Sequence, residues 1–282
     1  MYKLMTSKKS YAVSVMTIAV FFLFNLVVCP AQAQQRRLAI PVSDDSAAVL
    51  ELYLPATDSA SGRAVVCFPG GSYSTLSLDT EGHQWAPFFL ERGAAFAVLK
   101  YRLPHGDWRM PLTDAFSAIT TLRENAAVLN INPEDIGVLG FSAGGHLASA
   151  EVTHADSATM PNFQILIYPV ITMKSGGTHE SSAQNFLGTA RESSALVNFF
   201  SSELQVKKGA TPPAFIALSG DDTSVKPAEN GIAYCTALQN AGGKAELHVY
   251  PDGGHGWGFK SSFSHHDQLL NDLSNWLKNL GK

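Results

Sequence analysis

Cysteine is scarce in this chain: three residues in 282, at positions 29, 67 and 235. That number cannot build a disulfide framework, so stability has to come from a packed core. Cys67 lies in the apolar run Ala64-Val65-Val66-Cys67-Phe68, where it reads as a small buried hydrophobe, and both Cys67 and Cys235 are expected to be free. Positive charge is also in short supply. Twenty Lys and Arg face 24 Asp and Glu, for a net charge of −4, and no basic cluster occurs, which argues against nucleic acid as a partner. No apolar run reaches the ~20 residues a spanning helix needs. The longest, residues 12–28, has 17 and is interrupted by Ser14, Thr17 and Asn25. No metal is expected either: the one dense group of ligand types, His265-His266-Asp267, has no further ligand placed beside it by a motif. Repeats and low-complexity tracts are absent.

Lys3, Lys8 and Lys9 precede that apolar run, and Ala31-Gln32-Ala33 follows it in the A-x-A form of a cleavage site. Residues 1–33 therefore read as a signal peptide, and the protein as secreted or periplasmic. Cys29 does not read as a lipidation site, because Val27-Val28 before it are not the small residues such processing requires. Without the three lysines the net charge becomes −7. Residues 34–282 then suit one domain, long enough to bury roughly three quarters of its unfolded surface.

Within that domain, apolar runs of strand length alternate with helical patterns. Residues 37–42 and 49–54 read as an opening antiparallel pair. Strands follow at 63–68, 95–101, 135–139, 163–168, 214–218 and 245–250, with helices over 84–92, 111–129, from 146, 228–240 and 266–280. This alternation predicts an α/β fold with a mostly parallel sheet covered on both faces. Residues 172–210, rich in Ser, Gly and Lys, fit no strand-helix unit and are expected to form an insertion or lid-like segment over the site, with a short helix near 192–200.

The strongest local pattern is Gly140-Phe141-Ser142-Ala143-Gly144, between the strand at 135–139 and a helix. G-x-S-x-G in that context is a strand-to-helix elbow that presents a serine nucleophile, and its glycines let strand and helix approach. The α/β-hydrolase order then requires an acid and a base at later strand ends. Asp222, preferred to its neighbour Asp221, follows the strand at 214–218, and His255 lies in the loop Gly253-Gly254-His255-Gly256-Trp257 after the strand at 245–250. Ser142, Asp222 and His255 are thus the candidate catalytic set for acyl transfer. An oxyanion hole needs backbone donors. Ala143 is one candidate; Gly71 and Ser72, in the loop Pro69-Gly70-Gly71-Ser72-Tyr73, supply the others, with Gly70 in reserve. Tyr73, Trp108 and Trp257 are candidates to line the acyl pocket or stack on a substrate ring. No cofactor enters this scheme.

Those stretches, together with Glu81-Gly82, Arg92-Gly93, Lys100-Tyr101-Arg102-Leu103, Pro111-Leu112-Thr113-Asp114-Ala115, Gly220-Asp221-Asp222 with Val225 and Pro227, and the segment 250–257, resemble secreted bacterial α/β-hydrolases of the acetylxylan esterase type. Two departures stand out: Ser72 where relatives commonly carry glycine, and Lys226 where they prefer an apolar residue. The resemblance implies a short-chain ester, an acetyl group on a plant polysaccharide or oligosaccharide, as substrate. The residues alone leave open a general short-chain carboxylesterase, a feruloyl esterase, a serine peptidase and an inactive carbohydrate-binding homologue.

Overall fold

A computed structural model describes residues 36–280; the signal peptide expected over 1–33, with Cys29, lies outside them. Eight strands form one sheet: β1 (Arg36–Pro41), β2 (Val49–Leu54), β3 (Ala64–Phe68), β4 (Ala95–Lys100), β5 (Ile136–Phe141), β6 (Phe163–Ile167), β7 (Ala214–Ser219) and β8 (Ala245–Tyr250). Their order is β1-β2-β4-β3-β5-β6-β7-β8. The β1-β2 and β2-β4 pairs are antiparallel, and every pairing from β4 to β8 is parallel.

Eight α-helices accompany the sheet among the described residues: α1 (Ala86–Leu90), α2 (Arg109–Glu124), α3 (Ala126–Leu129), α4 (Ser142–His154), α5 (Glu180–Leu187), α6 (Ser194–Phe199), α7 (Ala233–Asn240) and α8 (His266–Asn279). Alternation along the buried strands sorts the core into two layers. On β3, Ala64, Val66 and Phe68 face a layer containing Ile119 of α2, Leu147 of α4 and Leu238 of α7. Val65 and Cys67 face the opposite layer, with Trp85, Phe89 of α1 and Leu273 of α8. A run buried on both sides has no polar face, which is why β3 reads as continuous hydrophobe in the sequence. Cys67 and Cys235 are both buried and unbridged.

Element boundaries depart from expectation where local hydrogen bonds compete with the helix. The helix expected over 111–129 breaks at Asn125 (φ −102°, ψ 9°), whose Nδ2 donates to the Thr121 carbonyl. A 3₁₀ turn, His83–Trp85, precedes α1, and a π-helical turn, Ala228–Ile232, precedes α7. The helix after the serine begins at Ser142, four residues before the expected start. Gly144 and Gly145 are poor helix formers, but close approach to β3 and Pro169 demands them. Between β6 and β7 the chain forms two helices, α5 and α6, where one was expected. The missed helix is short, but Ala183, Phe186 and Leu187 lie on one face and are fully buried.

β3, β5, β7 and β8 all deliver loops at their carboxyl ends, on the same edge of neighbouring parallel strands. That edge is where open α/β sheets hold their ligands.

Candidate active site

Ser142 follows β5 directly and opens α4. Its φ of +50° is left-handed, a strained conformation for a residue with a Cβ. The strain is held by packing: a Cβ on Gly144 would come within 2.0 Å of the Phe68 carbonyl oxygen, so only glycine lets the first turn of α4 lie against the end of β3. The Ser142 carbonyl accepts from the Val170 amide at 2.9 Å, which fixes the elbow from the far side.

His255 bridges the serine and the acid. Its Nε2 lies 2.8 Å from Ser142 Oγ, and its Nδ1 lies 2.6 Å from Asp222 Oδ2. An ionised carboxylate only accepts, so Nδ1 carries the hydrogen toward Asp222 and leaves the Nε2 lone pair for the serine hydroxyl. Asp222 is buried, and its other oxygen, Oδ1, accepts from the amides of Ser224 and Val225, each at 2.9 Å. These bonds lock the carboxylate in the rotamer that faces His255. Asp221 is exposed and does not meet the histidine ring; it accepts from the Gly254 amide at 2.8 Å and so shapes the turn that carries His255.

The loop after β3 lies against the serine, since a Cβ at Gly70 would come within 2.9 Å of Ser142 Cβ. In a planar trans peptide the C=O and the following N–H point in opposite directions. The Gly70 carbonyl accepts from the Ser77 amide at 3.0 Å, and the Gly71 carbonyl accepts from Ser74 and Thr75 at 3.0 and 3.1 Å. The amides of Gly71 and Ser72 are therefore turned away from those bonds. Gly71 (φ +127°) suits such a path, and Ser72 and Tyr73 follow it in left-handed conformations with φ of +57° and +59°. Asn185 of α5 donates to the Ser72 carbonyl at 2.8 Å and braces the loop. The Ala143 amide sits in the first turn of α4, where helix N–H groups lack intrahelical acceptors.

Three expectations change. Gly70 leaves the set of oxyanion donors because its amide is spent on Glu81 Oε2 at 2.8 Å. Tyr73 is 1% exposed and its hydroxyl is bonded to His146, so it offers no ring face to a sugar. Trp257 is 4% exposed, stacks on Phe263 at 4.2 Å and donates Nε1–H to Ser219 Oγ. It anchors the histidine loop from within. Only Trp108, half-buried before α2 and leaning on Phe200 at 4.7 Å, keeps a partly open ring.

Sequence reasoning assigned no role to four residues beside this site. Glu81 and Tyr168 form a buried hydrogen-bonded pair under the loops, and nothing in the sequence marks Tyr168. His146, on the second turn of α4, bonds Tyr73 and the Phe200 carbonyl, and burial pushes its imidazole down to about 4. His179 precedes α5, its Nδ1 2.9 Å from Ser182 Oγ, close enough to feel the charges of His255 and Asp222, and burial followed by His255 lowers its proton affinity. No group of three His, Cys, Asp or Glu among the described residues is placed to hold a metal ion, and no helix among them is long and apolar enough to cross a membrane.

A serine at a strained elbow, backed by histidine and aspartate at later strand ends of a mostly parallel sheet, defines the class: an α/β-hydrolase. Residues 65–259 match the α/β hydrolase fold family, and the chain belongs to it. It is 44% identical over 251 residues to an acetylxylan esterase of Xylanibacter ruminicola, covering 88% of this chain and 52% of that protein. It is also 33% identical over 214 residues to endo-1,4-beta-xylanase B of Butyrivibrio fibrisolvens, covering 71% and 33% of the two. The chain thus spans about half the length of the first relative and a third of the second. Among solved structures, an acetyl ester-xyloside bifunctional hydrolase from Caldicellulosiruptor lactoaceticus superposes with a TM-score of 0.80 at 30% identity, covering 89% of this chain and 99% of that one.

Proposed function

We propose that this protein is a serine esterase that removes short-chain acyl groups, acetyl above all, from plant polysaccharides such as xylan and from their oligosaccharides. The observation that carries the reading is the continuous contact from Ser142 Oγ to His255 Nε2 and from His255 Nδ1 to Asp222 Oδ2, at 2.8 and 2.6 Å. The substrate class rests on the likeness to the acetylxylan esterase and to the acetyl ester-xyloside hydrolase.

In this mechanism His255 takes the Ser142 proton as the hydroxyl attacks the ester carbonyl, and Asp222 stabilises the imidazolium. The amides of Gly71, Ser72 and Ala143 hold the tetrahedral oxyanion. Their role is supported by the orientation of the loop peptides and by the free first turn of α4. Collapse of the intermediate expels the sugar hydroxyl, which receives the proton from His255. Water activated by the same histidine then releases acetate. Of the three candidate rings, Trp108 is the one left open enough to meet a sugar. The segment over 172–210 forms one wall of the site, and the N-terminal 33 residues act as a signal peptide that directs secretion.

The test is acetate release from acetylated xylan by residues 34–282, compared with acetylated pectin, acetylated chitin and methyl ferulate, alongside hydrolysis of p-nitrophenyl acetate. The reading expects highest activity on xylan and its loss in Ser142→Ala. Undiminished activity in that variant would overturn the mechanism, and a maximum on methyl ferulate would overturn the acetyl assignment.

A further inference from the structure

We propose that Glu81 is a second carboxylate serving His255, acting through Tyr168, and that the same side chain sets the loop bearing the oxyanion donors. It is a positioning residue that couples the base to the oxyanion hole. This rests on the Ser142 mechanism proposed above.

The hydrogen bonds run in one direction. The Gly258 amide donates to Tyr168 Oη at 2.8 Å, Tyr168 O–H donates to Glu81 Oε1 at 2.9 Å, and the Gly70 amide donates to Glu81 Oε2 at 2.8 Å. Glu81 is the terminal acceptor of the chain, the position of an anion. It is 5% exposed, and a buried carboxylate persists only where such donors hold it. Gly70 precedes Gly71 and Ser72, and Gly258 follows His255 by three residues, so Glu81 holds the first loop directly and the second through Tyr168. Between them, the Tyr168 ring meets the His255 ring edge-on, with centroids 4.8 Å apart. Tyr168 also has a left-handed φ of +36°, strain of the kind that surrounding structure must enforce.

The charges facing His255 are few. Asp222 contacts it directly, His179 approaches from α5, and Asp221 is engaged with the Gly254 amide. Glu81 lies behind Tyr168, with Lys260 near it on the exposed side. Burial raises the proton affinity of Glu81 above the ordinary carboxylate value on balance, while Tyr168, the Gly70 amide, the positive form of His255 and Lys260 each pull it back down. The attraction is reciprocal: an anionic Glu81 favours the imidazolium that forms as Ser142 attacks. The path between them is buried protein, where such an interaction is screened less than in water.

The experiment measures kcat and KM on p-nitrophenyl acetate between about pH 5 and 9, together with the rate at which a fluorophosphonate labels Ser142. It uses the wild type, Glu81→Gln, Tyr168→Phe and the double variant. Glu81→Gln is expected to lower kcat and the labelling rate about 10- to 100-fold, with KM within about threefold. It should also move the acid limb of kcat/KM to lower pH by about half a unit or more, because a negative charge near the imidazolium is gone. Tyr168→Phe should shift the limb the same way by less, and the double variant should be no worse than Glu81→Gln. A folded Glu81→Gln with the wild-type acid limb, or additive losses in the double variant, overturns the proposal. If Glu81→Gln shows no cooperative melt, Tyr168→Phe decides: an unchanged kcat and acid limb there overturns it. A wild type that is neither active nor labelled at Ser142 overturns the underlying function instead.

Discussion

Tyr73 Oη and His146 Nδ1 lie 2.8 Å apart inside the core, joining the loop after β3 to the helix that begins at Ser142. The other ring nitrogen, Nε2, lies 2.9 Å from the Phe200 carbonyl. A carbonyl can only accept, so Nε2 donates; burial disfavours the charged ring, so Nδ1 accepts a hydrogen bond from the tyrosine hydroxyl. Tyr73, next to Ser72, is thereby tied to the segment between β6 and β7.

The pair makes stability depend on pH. Burial holds His146 down at about 4 in the folded state, whereas in the unfolded chain it titrates near its ordinary value. Below that ordinary value the unfolded chain binds the proton first, so stability is lost as pH falls from about 6.5 toward about 4, by about 2–4 kcal/mol. Urea unfolding of wild type and His146→Phe at neutral and acidic pH isolates the effect. The wild type should lose more on acidification; parallel losses would refute the assignment.

The neighbouring aspartates should separate cleanly. Asp222→Asn removes the acceptor that orients His255 and is expected to lower kcat about 10³- to 10⁴-fold. Asp221→Asn weakens one bond to the Gly254 amide and should cost less than about tenfold. Equal losses in kcat from the two variants would contradict these roles.

Glu151 on α4 is fully buried, and neither carboxyl oxygen has a hydrogen-bond partner among the described residues. Burial pushes its carboxyl well above the usual range, so the folded protein keeps the proton to higher pH than the unfolded chain does. Stability from this group is present below the ordinary carboxylate range and lost as pH rises. Glu151→Leu should therefore stabilise the protein by about 1–3 kcal/mol at neutral pH. The gain measured by thermal or urea unfolding should shrink in acid.

Ser72 occupies a left-handed position where a side chain is unfavourable. Ser72→Gly should leave kcat within about threefold, because the backbone amide, not the hydroxyl, is the proposed donor. Ser72→Val places a β-branched residue at the same φ and should cost about 1–3 kcal/mol in stability, with a fall in kcat larger than any change in KM.

Much of the fold was legible because the central strands are buried on both faces and read as unbroken apolar runs. Ser142, Asp222 and His255 were legible because the elbow motif and the order of strand ends constrain where each can lie. What failed to read was local competition and distant contact. Asn125 breaks a helix through a hydrogen bond within its own turn, and α5 hides in a polar stretch where only Ala183, Phe186 and Leu187 face inward. Tyr73 and Trp257 carry the right side chains for a binding surface, but neighbours in space cover both.

By itself the sequence determined the alternation of strands and helices, the candidate nucleophile at its elbow, and the candidates for acid and base, since each depends on residue type and near spacing. Only the tertiary structure decided which aspartate meets His255, which amide is already spent, and that Glu81 and Tyr168 lie beneath both loops. Those outcomes depend on hydrogen bonds between residues as far apart as Glu81 and Tyr168, or Ser142 and His255. A hydrogen bond forms only within about 3 Å and a narrow range of angles, and no spacing along the chain encodes that geometry.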